Sequence, residues 1–238
     1  MLQKYFKILF LFMCVQINFA FGQNLFQLKF ISNDSANTQL PITFQPDVNK
    51  LDSISCIAIS KLLVKELANN SYLLSVIDTL LFVDTVCEIR YKTGHSFKWV
   101  ELKNGNIPEE ILVAAGWRQH LFYNTTFNYR QYVAAANKIL THLELNGYPF
   151  AQIKLDSIDV TENKISANLM LDRGDRIYFD SIEIIGDAQI KGWFIAKYLG
   201  IKKDAIYNES LIQNASTRLN QLPIVQVTKK PFVYFIEN

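Results

Sequence analysis

Charge, glycine, cysteine and histidine are all scarce in this 238-residue chain, and each scarcity removes a class of protein. Charged residues make up 19% of the chain and hydrophobic ones 50%, which excludes a self-repelling disordered tail. Nine glycines exclude a collagen-type repeat, and three cysteines are too few for a disulfide-dense miniprotein. Three histidines, His95, His120 and His142, show no metal-ligand spacing. Serine elbow, glycine-rich phosphate loop and H-E-x-x-H motif are all missing from the sequence, so neither catalysis nor a cofactor or metal is expected. A run of the ~20 apolar residues that a helix needs to span a bilayer is missing too.

What the first 22 residues do contain is an export pattern. Lys4 and Lys7 give a positive start, Ile8 to Val15 is an unbroken apolar run, and Ala20-Phe21-Gly22 supplies small residues at a cleavage site. The pattern predicts a secretory signal cut before Gln23. Removing it leaves 22 basic residues against 22 acidic ones, a neutral chain without a basic run, so nucleic acid is not an expected partner. Cys56 and Cys87 then remain as an even pair in an oxidising compartment. A disulfide between them would contribute roughly 3 kcal/mol by the chain-entropy argument; two buried thiols are the alternative.

The tripeptide Arg173-Gly174-Asp175 matches a cell-adhesion signal, but its flanks explain it otherwise. Ile165, Ala167, Leu169 and Leu171 alternate with polar residues before it, and Ile177, Phe179, Ile182 and Ile184 recur after it. Period-two patterning on both sides predicts strand, turn, strand. Gly94 stands at the equivalent place 80 residues earlier, between Thr93 and His95. The glycine is therefore the common element and its neighbours are optional. Asp172, Asp175 and Asp180 read as a solvated face.

That correspondence belongs to a wider repeat. Gly94 matches Gly174, Trp99 matches Phe179 and Leu102 matches Ile182, all 80 residues apart. Gly116, Tyr123 and Asn124 match Gly200, Tyr207 and Asn208, all 84 apart; one loop insertion would produce the drift. Asn124 and Asn208 are expected to cap the helices that follow, accepting bonds from free backbone N–H groups, with Glu209 suiting the helix dipole. Leu211, Ala215, Leu219 and Leu222 form one apolar stripe. Gly200 closes the pattern of Ile190, Phe194, Ile195, Tyr198 and Leu199, where a helix end favours left-handed backbone. Each unit reads as strand, helix, helix, strand, strand. Only an α+β layout, a small sheet with a helix pair on one face, hides both apolar surfaces.

Gly174, Ile177, Ile182, Ile184, Gly186, Ile190, Gly200, Tyr207, Asn208, Leu211, Leu219, Leu222 and Val225 carry a resemblance in the last unit. Gly94, Trp99, Leu102, Gly105, Ile107, Gly116, Tyr123 and Asn124 carry it in the middle one. In this order, twice over, the sequence resembles tandem polypeptide-transport-associated (POTRA) domains, as in outer-membrane assembly factors of the BamA and TamA kind. The resemblance implies tandem β-α-α-β-β units, each a three-stranded mixed sheet under two helices. Their expected bounds are residues 23–93, 94–173 and 174–238. The first unit is the most divergent, with a strand at "LFQLKFIS", a helix around Ser55 to Ala68 and no clear first helix between Asn33 and Asp52.

Residues 235–238 align with 160–163, so the last unit stops before its final strand, which in the family is the central one. Strands near Ile177 to Ile185 and Ile224 to Ile236 would then lack their shared partner. The sequence thus reads as a fragment whose full form continues into that strand and a membrane β-barrel.

The implied role is a non-catalytic periplasmic docking arm, tied to the outer membrane through the barrel, for unfolded outer-membrane clients and envelope assembly partners; no small-molecule substrate is implied. Recognition would proceed by β-augmentation on the second strand of the middle unit, Tyr148 to Val160, with Gln152, Lys154 and Asp156 as the candidate edge and Pro149 and Lys154 as edge-type residues. The alternatives are a scaffold of a two-partner secretion or division complex that reuses the same domain, and a periplasmic ligand-binding or adhesion module.

Overall fold

The computed structural model describes residues 26–34, 40–46, 51–186, 189–223 and 225–236; the export pattern of residues 1–22 lies outside them. The architecture is α+β, with two mixed sheets in tandem and a third, helical cluster. The first sheet is built from β1 (Gln27–Ser32), β2 (Val76–Val83) and β3 (Val86–Lys92). Its order is β1-β3-β2, with β3 central, parallel to β1 and antiparallel to β2. Strict alternation puts Cys87, Ile89 and Tyr91 of β3 on one face, all fully buried. Helix α1 (Ser53–Asn69) covers that face with Cys56, Ile59, Leu63 and Leu67, spaced by three and four residues. Asp52 starts the helix by accepting the Ser55 N–H at 2.8 Å. Residues 40–46 are not helical; Leu40, Ile42 and Phe44 reach the same core from irregular chain.

The second sheet follows the same plan with an addition. Its elements are β4 (Lys98–Lys103), α2 (Glu109–Ala114), β5 (Tyr123–Thr126), α3 (Tyr129–Glu144), β6 (Gln152–Thr161) and β7 (Lys164–Asp172). The order is β5-β4-β7-β6, with β4 parallel to β7 and β6 antiparallel to it. Four strands stand where the resemblance implies three. The core is aromatic: Trp99 lies 4.9 Å from Phe127 and 6.3 Å from Phe122, and Trp117 stacks on Phe122 at 4.9 Å. Ile139 and Leu143 of α3 and Ile165, Leu169 and Leu171 of β7 complete it, each contributing about 1.5–3 kcal/mol on burial.

Gly105 sits where the chain leaves β4 and crosses β7. Its φ is +60°, and a Cβ there would lie 1.6 Å from the Leu169 carbonyl oxygen. Next to it, the Asn106 side chain accepts the Leu171 N–H at 2.7 Å and donates to the Leu171 carbonyl at 2.8 Å. It takes the place of one more residue of neighbouring strand.

In the third unit, α4 (Gly192–Leu199), α5 (Glu209–Gln213) and α6 (Ala215–Leu219) enclose Ile195, Leu199, Ile201 and Ala215. Gly200 ends α4 at φ +79°, in the left-handed region. Among the described residues, the expected strands near 177–185 and 224–236 do not form. A single bridge, Tyr178 to Ile206, is the pairing found there among the described residues. The physical reason is plain from the two sheets above, where a central strand bonds to both neighbours; here nothing among the described residues fills that position.

The repeat is real but its alignment needs correction. Asn124 is no helix cap: it belongs to β5, at φ +48°, and Asn128 caps α3 by accepting the Gln131 N–H at 3.0 Å. Asn208 does cap α5, accepting the Ser210 N–H at 3.0 Å. The true counterpart of Tyr207-Asn208 is thus Phe127-Asn128, 80 residues earlier. The Phe127 N–H donates to Phe97 O at 3.0 Å and the Tyr207 N–H to Ile177 O at 2.9 Å, again 80 apart. Likewise the Tyr178 to Ile206 bridge repeats the Lys98 to Thr126 pair. The starts of α3 and α5, Tyr129 and Glu209, keep the spacing of 80, whereas those of α2 and α4, Glu109 and Gly192, lie 83 apart. The 84-residue spacing of Gly116 and Gly200 is local, a shift undone before the next helix. Tyr123 is 62% exposed on its strand, whereas Tyr207 is buried.

Candidate functional site

The edge named from sequence is an edge in the structure, since β6 pairs with β7 on one side and ends the sheet on the other. The strand runs Gln152–Thr161, so Tyr148 and Pro149 precede it and Pro149 is not an edge residue. Which backbone groups face outward follows from β7. Leu169 O points at Gly105 and both polar groups of Leu171 point at Asn106, so the odd-numbered residues of β7 bond toward β4. In an antiparallel pair, the residue opposite such a position also bonds away from its partner. Ile153 pairs with Leu171 and Leu155 with Leu169. The outward N–H and C=O groups therefore belong to Ile153 and Leu155. Gln152, Lys154 and Asp156 spend theirs on β7 and offer side chains only, on the exposed face. The three residues named from sequence thus lie on an edge strand, but the outward backbone groups belong to their neighbours, a parity revealed by Asn106, which is remote in the chain.

Past Asp156 the register shifts, with Ser157 at φ +49°. Such a bulge bends an edge and limits how far a flat partner can run along it. The usable segment is Gln152 to Asp156.

Between units, the structure repeats a joint. The Tyr72 N–H donates to Leu67 O at the end of α1, and the Tyr148 N–H to Leu143 O at the end of α3, both at 3.0 Å. Asn70 and Asn146 each donate a side-chain N–H to the carbonyl four residues back, at 2.8 and 2.7 Å. The next residue is left-handed in both, Ser71 at φ +84° and Gly147 at φ +93°. Its carbonyl accepts an N–H near the start of the following unit, Phe97 to Ser71 and Ile177 to Gly147, each at 2.8 Å. Side chains add to the backbone tie: Ser71 and Ser96 hydroxyls meet at 2.8 Å, Arg130 of α3 pairs with Glu66 of α1, and Asn208 donates to Leu145 O at 3.0 Å.

Each joint is flanked by an open cleft, about 480 Å³ at the first, lined by Asn70, His120, Phe127 and Asn128 among others. At the second, of about 500 Å³, Glu144 and Glu209 share the wall. Burial pushes the Glu144 carboxyl up, and the Glu209 charge adds to the rise. Burial also raises the Tyr207 phenol, whose hydroxyl donates to Glu209.

Arg173-Gly174-Asp175 lies between β7 and the third unit. Gly174 is at φ +62° and donates its N–H to Asp172 at 3.0 Å, and the Arg173 and Arg176 guanidinium groups lie 5.9 and 5.7 Å from the Tyr148 ring centre. Its arginine is turned onto its own chain. At the matching turn Gly94 is at φ +69° and donates to Asp34 at 2.7 Å; Gly116 and Gly186 are also at positive φ. Among the described residues no three His, Cys, Asp or Glu side chains converge as a metal set, and no helix is long and apolar enough to cross a membrane.

Comparison with known proteins agrees with this geometry. No family model matches the chain, and no curated protein does. Among solved structures, POTRA domains 3–5 of BamA from Haemophilus influenzae align over 83% of this chain and 84% of theirs, with TM-score 0.54 and 20% identity. The N-terminal domain of Omp85 from the cyanobacterium Thermosynechococcus elongatus aligns over 83% and 85%, with TM-score 0.35 and 11% identity. The first likeness, over most of both chains, shows that this chain has the fold of a tandem POTRA array. A fold alone does not assign an activity.

Proposed function

We propose that the chain is a periplasmic arm of an outer-membrane β-barrel assembly or translocation system, receiving extended client strands on the β6 edge. In this reading residues 1–22 direct export, and residues 23–93, 94–173 and 174–238 are three POTRA-like units. The observation that carries it is the outward pair of backbone groups at Ile153 and Leu155, on the open side of a sheet in a POTRA-type fold. Main-chain bonds read shape rather than sequence, so such an edge suits clients that share only an alternating strand pattern.

The test is a titration of isotope-labelled chain with peptides of about 10 alternating residues, the length of a membrane barrel strand. Amide shifts should centre on residues 152–156. Leu155→Pro removes an outward donor without touching the ladder to β7 and should abolish those shifts; Lys154→Ala should leave most of the affinity. Shifts confined to the helices, or equal loss in both variants, would refute edge recognition.

A further inference from the structure

The first unit holds two cysteines in a small core. Cys56 and Cys87 are both at 0% exposure, one in the first turns of α1 and the other on β3, the strand that α1 covers. They are two of the eight fully or nearly buried hydrophobic residues of that core, whereas the second unit buries fifteen. Both side chains belong to one buried cluster, as free thiols, and Cys56 is near enough to perturb the Cys87 thiol. They are also the two cysteines among the described residues, which leaves neither a competing partner there. One helix, α1, covers the first sheet among the described residues, so this unit has a smaller core than the second with which to hold its sheet and helix together. Small cores of this kind gain most from a covalent staple.

We propose that Cys56 and Cys87 are joined as a disulfide that staples α1 to the central strand of the first sheet in oxidising surroundings. Its presence in the cell rests on the periplasmic reading above; its chemistry does not. The bond forms by exchange with a disulfide oxidant such as oxidised glutathione. One protein thiolate attacks a glutathione sulfur and expels glutathione thiolate; the second attacks the resulting mixed disulfide and expels the other. Two protein thiols thus lose two protons and two electrons, and the oxidant becomes two thiols.

Timing follows from burial. Burial, together with the adjacent Cys56 thiol, pushes the Cys87 thiol up to about 12, so Cys87 holds almost no thiolate in the folded reduced core. The bond is made while the unit is still opening, and is shielded afterwards. Folded reduced protein should therefore oxidise far more slowly than refolding protein.

The experiment refolds the full chain from denaturant in reduced and oxidised glutathione, blocks free thiols with an alkylating agent and digests with trypsin. Cleavage at Lys50, Lys61, Lys65 and Arg90 separates Cys56, in residues 51–61, from Cys87, in residues 66–90. The expected product is those two peptides linked, with the Cys14 peptide alkylated, and separation on adding dithiothreitol. The oxidised chain should also need more urea to unfold than the reduced one. A Cys56→Ala, Cys87→Ala variant should not respond to dithiothreitol. Recovery of both peptides alkylated, or of either linked to Cys14 instead, overturns the proposal. The same digest on protein recovered from cells tests the other reading separately: linkage in glutathione with free thiols in the cell upholds the staple and removes the periplasmic assignment.

Discussion

Replacing Gly105 by alanine should unfold or gravely weaken the second unit, and the reason separates into two parts. At φ +60° any Cβ costs about 1 kcal/mol. The same Cβ would lie 1.6 Å from the Leu169 oxygen and 2.7 Å from its carbonyl carbon. Neither atom belongs to a flexible side chain, so β7 itself must shift, and overpacking of this kind adds about 1–3 kcal/mol or more. Gly116 is the control, at φ +68° with nothing within 4 Å of its absent Cβ; Gly116→Ala should show the first cost alone. In a Trp193→Phe background the remaining tryptophans, Trp99 and Trp117, both belong to the second core, so their fluorescence during urea unfolding reports that unit. With a denaturant slope of about 1 kcal/mol per molar for a unit this small, Gly116→Ala should lower the midpoint by about 1 M and Gly105→Ala by 2 M or more. Equal losses would refute the close approach of Gly105 to β7.

Acid should weaken the first unit through Asp34. Burial alone would raise its carboxyl, but the Gly94 N–H, the Ser32 hydroxyl and the Thr93 N–H and hydroxyl outweigh that and hold it below the usual value. A depressed folded pKa gives stability that is present above the ordinary carboxylate range and lost as pH falls through the lower value. Asp34→Asn should therefore flatten the fall of the urea midpoint between about pH 5 and 3; an unchanged slope would exclude Asp34 as its source. Glu66→Gln removes the Arg130 pair across the first joint. As Arg130 is 61% exposed, stability should change by less than about 1 kcal/mol. X-ray scattering of the variant should superimpose on that of the parent, because the Phe97 to Ser71 bond remains; a larger radius of gyration would show that the ion pair, not the main chain, sets the angle.

The legible parts of the sequence were those governed by short-range periodicity. The α1 stripe, the alternation of Ile165 to Leu171 and the stop at Gly200 are each written in a few consecutive residues. β5 was not legible: "YNTT" carries no apolar alternation, and it becomes a strand because β4 offers an open ladder beside it. Asn124 misled for a related reason. An asparagine after an aromatic signals a cap at two places four residues apart, Tyr123-Asn124 and Phe127-Asn128, and only burial of the aromatic decides between them. On the candidate edge, the choice of strand came from the family resemblance, while the identity of the outward-facing groups depended on Gly105 and Asn106, about 50 residues upstream.

The tie between units runs from a carbonyl just past a helix end to an amide near the start of the next unit. Neither group is encoded by a side chain, so no substitution at Ser71, Phe97 or Ile177 deletes it, save proline at either donor, which lacks the N–H. Lineages of such a chain could exchange nearly every surface residue and still inherit the same posture. Selection need only preserve a helix that stops on time and a residue willing to turn left.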